Sequence, residues 1–196
     1  MKLIGMMILL AFYAIYIGKM LSQRQRGIQT DQIARGKPHD RVFCIELVMK
    51  LATYAVVAVE GISIFIVTPA LPQPVRFTGA AFGILGVIVF GAAVVEMRDS
   101  WRAGIAAQEQ TELITSGIYQ ISRNPAFLGF DCVYFGLLLM FFNIPLLLIS
   151  CFAALMLHLQ ILQEEEHLTA AFGRPYLDYK RRVRRYFGHA CSKRAK

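Results

Sequence analysis

The sequence predicts an all-α fold, a polytopic membrane helical bundle with about five transmembrane helices and a C-terminal interfacial helix. Three observations carry that expectation. Hydrophobic residues make up 56% of the 196 and charged residues only 17%, whereas a soluble domain of this length carries more charge. Several segments approach the roughly 20 apolar residues that a helix needs to cross a bilayer. Lys and Arg also collect in alternate connections between those segments.

The elements follow in order. Span 1 covers roughly residues 3–20; its residues 3–18 are uncharged and no A-x-A-like cleavage site follows, so it reads as a retained span rather than a signal peptide. The polar stretch SQRQRGIQTDQIARGKPHDR leads to span 2, about 42–68, which contains Glu46, Lys50 and Glu60. PALPQP carries three prolines in six residues and must turn, because proline lacks the N–H that a helix interior needs. Span 3 is residues 77–95, without a charge, and its Gly79 and Gly83 allow close helix approach. The polar segment 96–123 holds the only tryptophan, Trp101. Span 4 covers roughly 125–142, and NIP at 143–145 turns the chain, with Pro145 suited to a first helical turn. Span 5 runs from 145 to about 163 and continues without a break signal into EEEHLTAAFG, so the helix projects from the membrane. In the tail, Phe172, Tyr176, Tyr179, Val183 and Phe187 recur at helical spacing between Lys180, Arg181, Arg182, Arg184 and Arg185. That pattern predicts a basic amphipathic helix on the inner leaflet. Residues 1–196 read as a single integral membrane domain with no separate soluble part.

The net charge of +8 is a matter of topology and points away from nucleic acid. Loop 19–41 carries six Lys and Arg, loop 96–125 three and the tail from 174 nine, while the two opposite loops carry only Arg76. Five spans place the three basic regions on one side, which the positive-inside rule makes cytoplasmic, with the N-terminus outside and the C-terminus inside. Cys44, Cys132, Cys151 and Cys191 and the four histidines show no metal-ligand spacing and no disulfide framework.

Chemistry concentrates at one end. TSGIY at 115–119, SRNP at 122–125 and EEE at 164–166 flank spans 4 and 5. A helical hairpin brings its open ends together, so Arg123, Asn124, Glu164 and Glu165 converge into a polar pocket of both signs beside lipid. A zwitterionic amino acid fits such a pocket, and S-adenosylmethionine ends in one and adds a cationic sulfonium. Gly117 beside Tyr119 permits backbone approach to an adenosine. Pro125 fixes the first turn of span 4. On the residues alone, three glutamates after a span are more often a solvated helix end.

SWRAGI, TELITSGIYQISRNPAFLGF and EEEHLTAAFGRPYLDYKRRVRRYF, taken in that order, resemble the isoprenylcysteine carboxyl methyltransferase and phospholipid methyltransferase superfamily over about residues 98–187. The resemblance implies a helical membrane enzyme that binds S-adenosylmethionine at its cytoplasmic mouth and takes a lipophilic acceptor from the bilayer. It assigns Gly117 and Tyr119 to the cofactor loop and Arg123, Asn124 and Pro125 to the polar start of span 4. It makes Glu164 and Glu165 the acidic pair and Tyr176 the first tyrosine after the Phe-Gly pair. The best-known members carry His where this chain has Asn124, and asparagine cannot titrate near neutral pH. Arg123 and Asn124 are therefore catalytic candidates that orient rather than exchange protons. This suits an acceptor that arrives as a carboxylate, such as isoprenylcysteine, or as a readily ionised thiol. A phospholipid amine is the alternative acceptor. A sterol-reductase-type oxidoreductase lacks a glycine fingerprint for its nicotinamide here, and a non-enzymatic scaffold is the remaining reading. Glu60, inside span 2, reads either as functional or as a neutral or paired carboxyl facing another helix. Asp131 lies one turn inside span 4, near the acceptor's expected place.

Cysteine labelling near positions 30, 72, 110 and 190 tests the topology. Positions 30, 110 and 190 should react from the cytoplasmic side and 72 from the other; labelling of 30 and 110 from opposite sides contradicts five spans.

Overall fold

The computed structural model describes residues 1–31, 33, 41–102 and 112–189. Their helices are α1 (Lys2–Gln25), α2 (Arg41–Ile66), α3 (Gln73–Met97), α4 (Pro125–Met140), α5 (Ile144–Phe172) and α6 (Arg174–Arg182), with short 3-10 turns at Arg98–Ser100 and Gly117–Gln120. An isolated β-bridge joins Val183 and His189. Each of the five expected spans is one helix. Four of them, α1, α2, α3 and α5, are long and apolar enough to cross a membrane. The 16 residues of α4 rise only about 24 Å, less than the roughly 30 Å of a bilayer core.

The boundaries follow from local chemistry. Proline occupies the first turn of α3, α4 and α5, where its missing N–H costs no helical bond. The Asn143 side chain caps α5 by accepting from Leu146 N at 2.9 Å and donates to Ser63 Oγ of α2 at 2.9 Å. Gly173, at φ +56, breaks α5 from α6.

Packing centres on α3 and α4, which share the most extensive helix contact in the molecule. The two backbones touch through glycines. A Cβ on Gly79 would stand 2.6 Å from Gly136 O, and one on Gly86 would stand 2.7 Å from Gly129 O. Lipid tails are as apolar as leucine, so helix association in a membrane relies on such dispersion contact. α2 packs on α5, and α1 leans on α3 through Phe12 and Phe90, whose ring centroids are 4.5 Å apart. By comparison α1 and α2 touch little.

Two details differ from the sequence expectation. The tail helix stops at Arg182, because the chain turns back through Arg184 N–H to Gly188 O at 2.9 Å and Gly188 N–H to Ile121 O at 2.8 Å. The apolar side of α6 is spent on protein, with Tyr176, Tyr179 and Val183 buried against Ala93 and Tyr119. In α2, Lys50 pairs with Asp31 at 2.6 Å.

Gly136→Ala places its Cβ against the Gly83 backbone and should destabilise the bundle by about 1–3 kcal/mol. Gly61→Ala enters open space and should be neutral or slightly stabilising, since alanine is the better helix former. Thermal unfolding of both variants in one detergent measures the contrast.

Candidate active site

α5 delivers Glu165 to the start of α4, where its carboxylate is buried under three cations. Arg123 Nη2 donates to Oε1 at 2.8 Å. Arg185 binds both oxygens, Nε to Oε1 at 3.0 Å and Nη2 to Oε2 at 2.9 Å, and Lys180 Nζ lies 3.5 Å from Oε2. This hydrogen bonding holds the Arg185 guanidinium above its ordinary pKa. The tail is strapped across the same spot: Arg123 N–H donates to Arg184 O at 3.1 Å and Ser122 Oγ to Arg185 O at 3.3 Å. Asn124 Nδ2 donates to Arg185 O at 3.2 Å and to Glu165 Oε1 at 3.4 Å.

The 3-10 turn at Gly117–Gln120 is anchored twice. Tyr179 Oη donates to Tyr119 O at 2.6 Å. Gly117 sits at φ +55, with its missing Cβ position 2.5 Å from the Glu96 carboxyl carbon, and Ser116 Oγ donates to Glu96 Oε1 at 2.5 Å. The close approach that this glycine permits is therefore to Glu96. Burial pushes the Tyr176 hydroxyl up to about 12 and raises those of Tyr119 and Tyr179, so all three stay neutral donors at physiological pH.

Inside these anchors lies a cavity of about 820 Å³, within the roughly 300–1,000 Å³ typical of small-molecule sites. One end is polar and holds Tyr119, Arg123, Asn124, Gln160, Glu164, Tyr176 and Tyr179. The remainder runs between α1 and α2 along Tyr13, Tyr16, Thr53, Val57, Phe90 and Phe130. Leu10 and Tyr54 also line it and are 62% and 61% exposed, so the cavity opens sideways between the two loosely packed helices, onto the surface that faces lipid.

Of the expected site residues, Tyr119, Arg123, Asn124, Glu164 and Tyr176 reach the cavity wall, while Gly117, Pro125 and Glu165 stand behind it. The acidic pair is thus divided: Glu164 faces the cavity and Glu165 the ion cluster. Asp131 is off the cavity wall, near Tyr186, which contacts His158. Glu60 is fully buried beside Tyr13 and Tyr134, and neither carboxyl oxygen has a hydrogen-bond partner in the structure. Sequence reasoning missed Arg185, Glu96 and Gln160. Gln160 precedes Glu164 by one helical turn, and that spacing was the available signal; nothing marked Arg185 among its four basic neighbours.

The fold and site define a class: a polytopic integral membrane protein whose buried polar mouth joins a cavity open to lipid. Residues 74–175, more than half of the chain, match the family model for phospholipid methyltransferases, and the chain belongs to that family. Protein-S-isoprenylcysteine O-methyltransferase B of Arabidopsis thaliana is 34% identical over 110 residues, which are 54% of this chain and 55% of the relative. The chain spans about half the length of that curated relative.

Glu165→Gln leaves three cations around a neutral amide and should loosen the strap. Truncating one partner of a buried ion pair costs about 3–5 kcal/mol, and limited trypsin digestion should then cut at Lys180–Arg185 well before wild type. Glu166→Gln, on the exposed side of α5, should digest like wild type.

Proposed function

We propose that the chain is an S-adenosylmethionine-dependent membrane methyltransferase acting on a lipophilic carboxylate such as isoprenylcysteine, or on a lipophilic thiol. The observation that carries this reading is that one cavity joins a polar mouth of mixed charge to a lateral opening between α1 and α2. A water-soluble donor and a bilayer-dissolved acceptor need such a meeting place. The polar end fits the cofactor's zwitterion and sulfonium. Glu164 offers a carboxylate to the cationic part, and Arg123 Nε is a buried donor without a partner in the structure, suited to a carboxylate. When bound, the cofactor supplies a methyl group on a cationic sulfur, open to in-line displacement by the acceptor's oxygen or sulfur.

The protein's tasks are alignment and exclusion of water. Tyr119 and Tyr176 supply wall, and Gly117 and Pro125 set the backbone around it. Glu165 acts from behind by holding Arg123 in place. Asn124, its amide donors engaged with Arg185 O and Glu165, keeps the start of α4 closed and has no proton to exchange. In this reading the mouth faces the cytoplasm, as the basic loops favour. A protonated amine is the second reading, favoured by the phospholipid methyltransferase family match. It requires a group that removes the amine proton.

Incubating purified protein with methyl-labelled S-adenosylmethionine and a prenylated cysteine should place the label in the lipid fraction by mass spectrometry; no transfer to prenylcysteine or to aminolipid contradicts the proposal. Glu164→Gln should weaken cofactor binding roughly tenfold to a hundredfold, the size of a charged hydrogen bond, by calorimetry. With a carboxylate acceptor of pKa about 4, the rate at saturating cofactor should stay nearly flat from about pH 6 to 9. A steep rise between about pH 7 and 9 at constant binding points instead to an amine or thiol.

A further inference from the structure

Gln160 is fully buried on α5, at the cavity wall one helical turn deeper than Glu164. Its Nε2 points to two carboxylates, Glu46 Oε1 of α2 at 3.5 Å and Glu164 Oε1 at 3.4 Å. The two acids therefore fix the amide with its nitrogen toward them, and Oε1 is left without a partner in the structure. A buried amide oxygen without a donor is rare and calls for an explanation, and Gln160 is among the residues that line the cavity. The neighbouring groups specify that donor, because Glu164 and the Gln160 oxygen both only accept, and an ammonium offers three donors and a positive charge. We propose that Gln160 and Glu164, with Glu46 as a positioning residue behind the amide, form a subsite for a protonated amine at the inner edge of the mouth. Resting on the methyltransferase reading, this names two sources for one chemistry: the amino group of the cofactor's methionyl end, or the headgroup of an aminolipid.

The full-length protein in detergent tests it with Gln160→Met, which keeps volume and removes the acceptor. Two affinity ratios are measured on the same sample, so that partial misfolding cancels: S-adenosylmethionine against its deaminated analogue, and octadecylamine against octadecanol. One ratio should fall about tenfold in the variant, the effect of one charged hydrogen bond. A fall in the first assigns the cofactor's amine, and a fall in the second assigns an aminolipid. If neither ratio moves, or the deaminated analogue and octadecanol weaken as much as their amines, the subsite is overturned. Failure of wild type to bind S-adenosylmethionine removes the methyltransferase reading, and the octadecylamine ratio still decides the amine subsite.

Discussion

The backbone contact between α3 and α4 is the constraint on which the rest depends. Gly79 and Gly86 on one helix and Gly129 and Gly136 on the other let main chains approach where side chains would hold them apart. That seam fixes the start of α4, and with it Arg123 and Asn124. It also fixes the end of α3, where Glu96 receives the turn that carries Tyr119. Functional groups on two helices thus inherit their spacing from residues with no side chain.

Electrostatics then close the mouth. A carboxylate at a membrane boundary is costly to bury unless paired, and Glu165 is paired three times over. Its partners come from the start of α4, from α6 and from the returning tail, so one side chain ties three chain segments together. α6 uses its tyrosines as part of the cavity wall, turns Lys180 toward Glu165 and leaves Arg181 and Arg182 outward. The same helix therefore seals the site and presents charge suited to an anionic leaflet.

The helical elements were legible because a membrane span demands an unbroken apolar length, and prolines or charges marked nearly every end. The convergence of Arg123 with Glu165 was legible for the same reason, since a hairpin must bring its open ends together. The division of labour between Glu164 and Glu165 was not, because a single step of about 100° around a helix separates cavity from ion cluster. The strap was hidden as well. Repeating Tyr and Val spacing suggested a helix up to Phe187, and only the Gly188 turn, at φ +99, sends the chain back to Ile121. The glycine seam was half visible: Gly79 and Gly83 stood out, while Gly86, Gly129 and Gly136 acquire meaning only once α3 and α4 are paired.

In the proposed reaction one cavity receives both water-soluble and lipid-soluble ligands, and Trp101, the only tryptophan, lines it. Its emission is the most direct test, using a single-chain lipid brominated along the chain, added to the purified protein with and without saturating S-adenosylmethionine. Quenching should saturate at one lipid per protein, with a cofactor-induced shift that leaves the lipid bound. Cofactor binding with no lipid quenching, or with quenching that never saturates, would contradict a shared cavity.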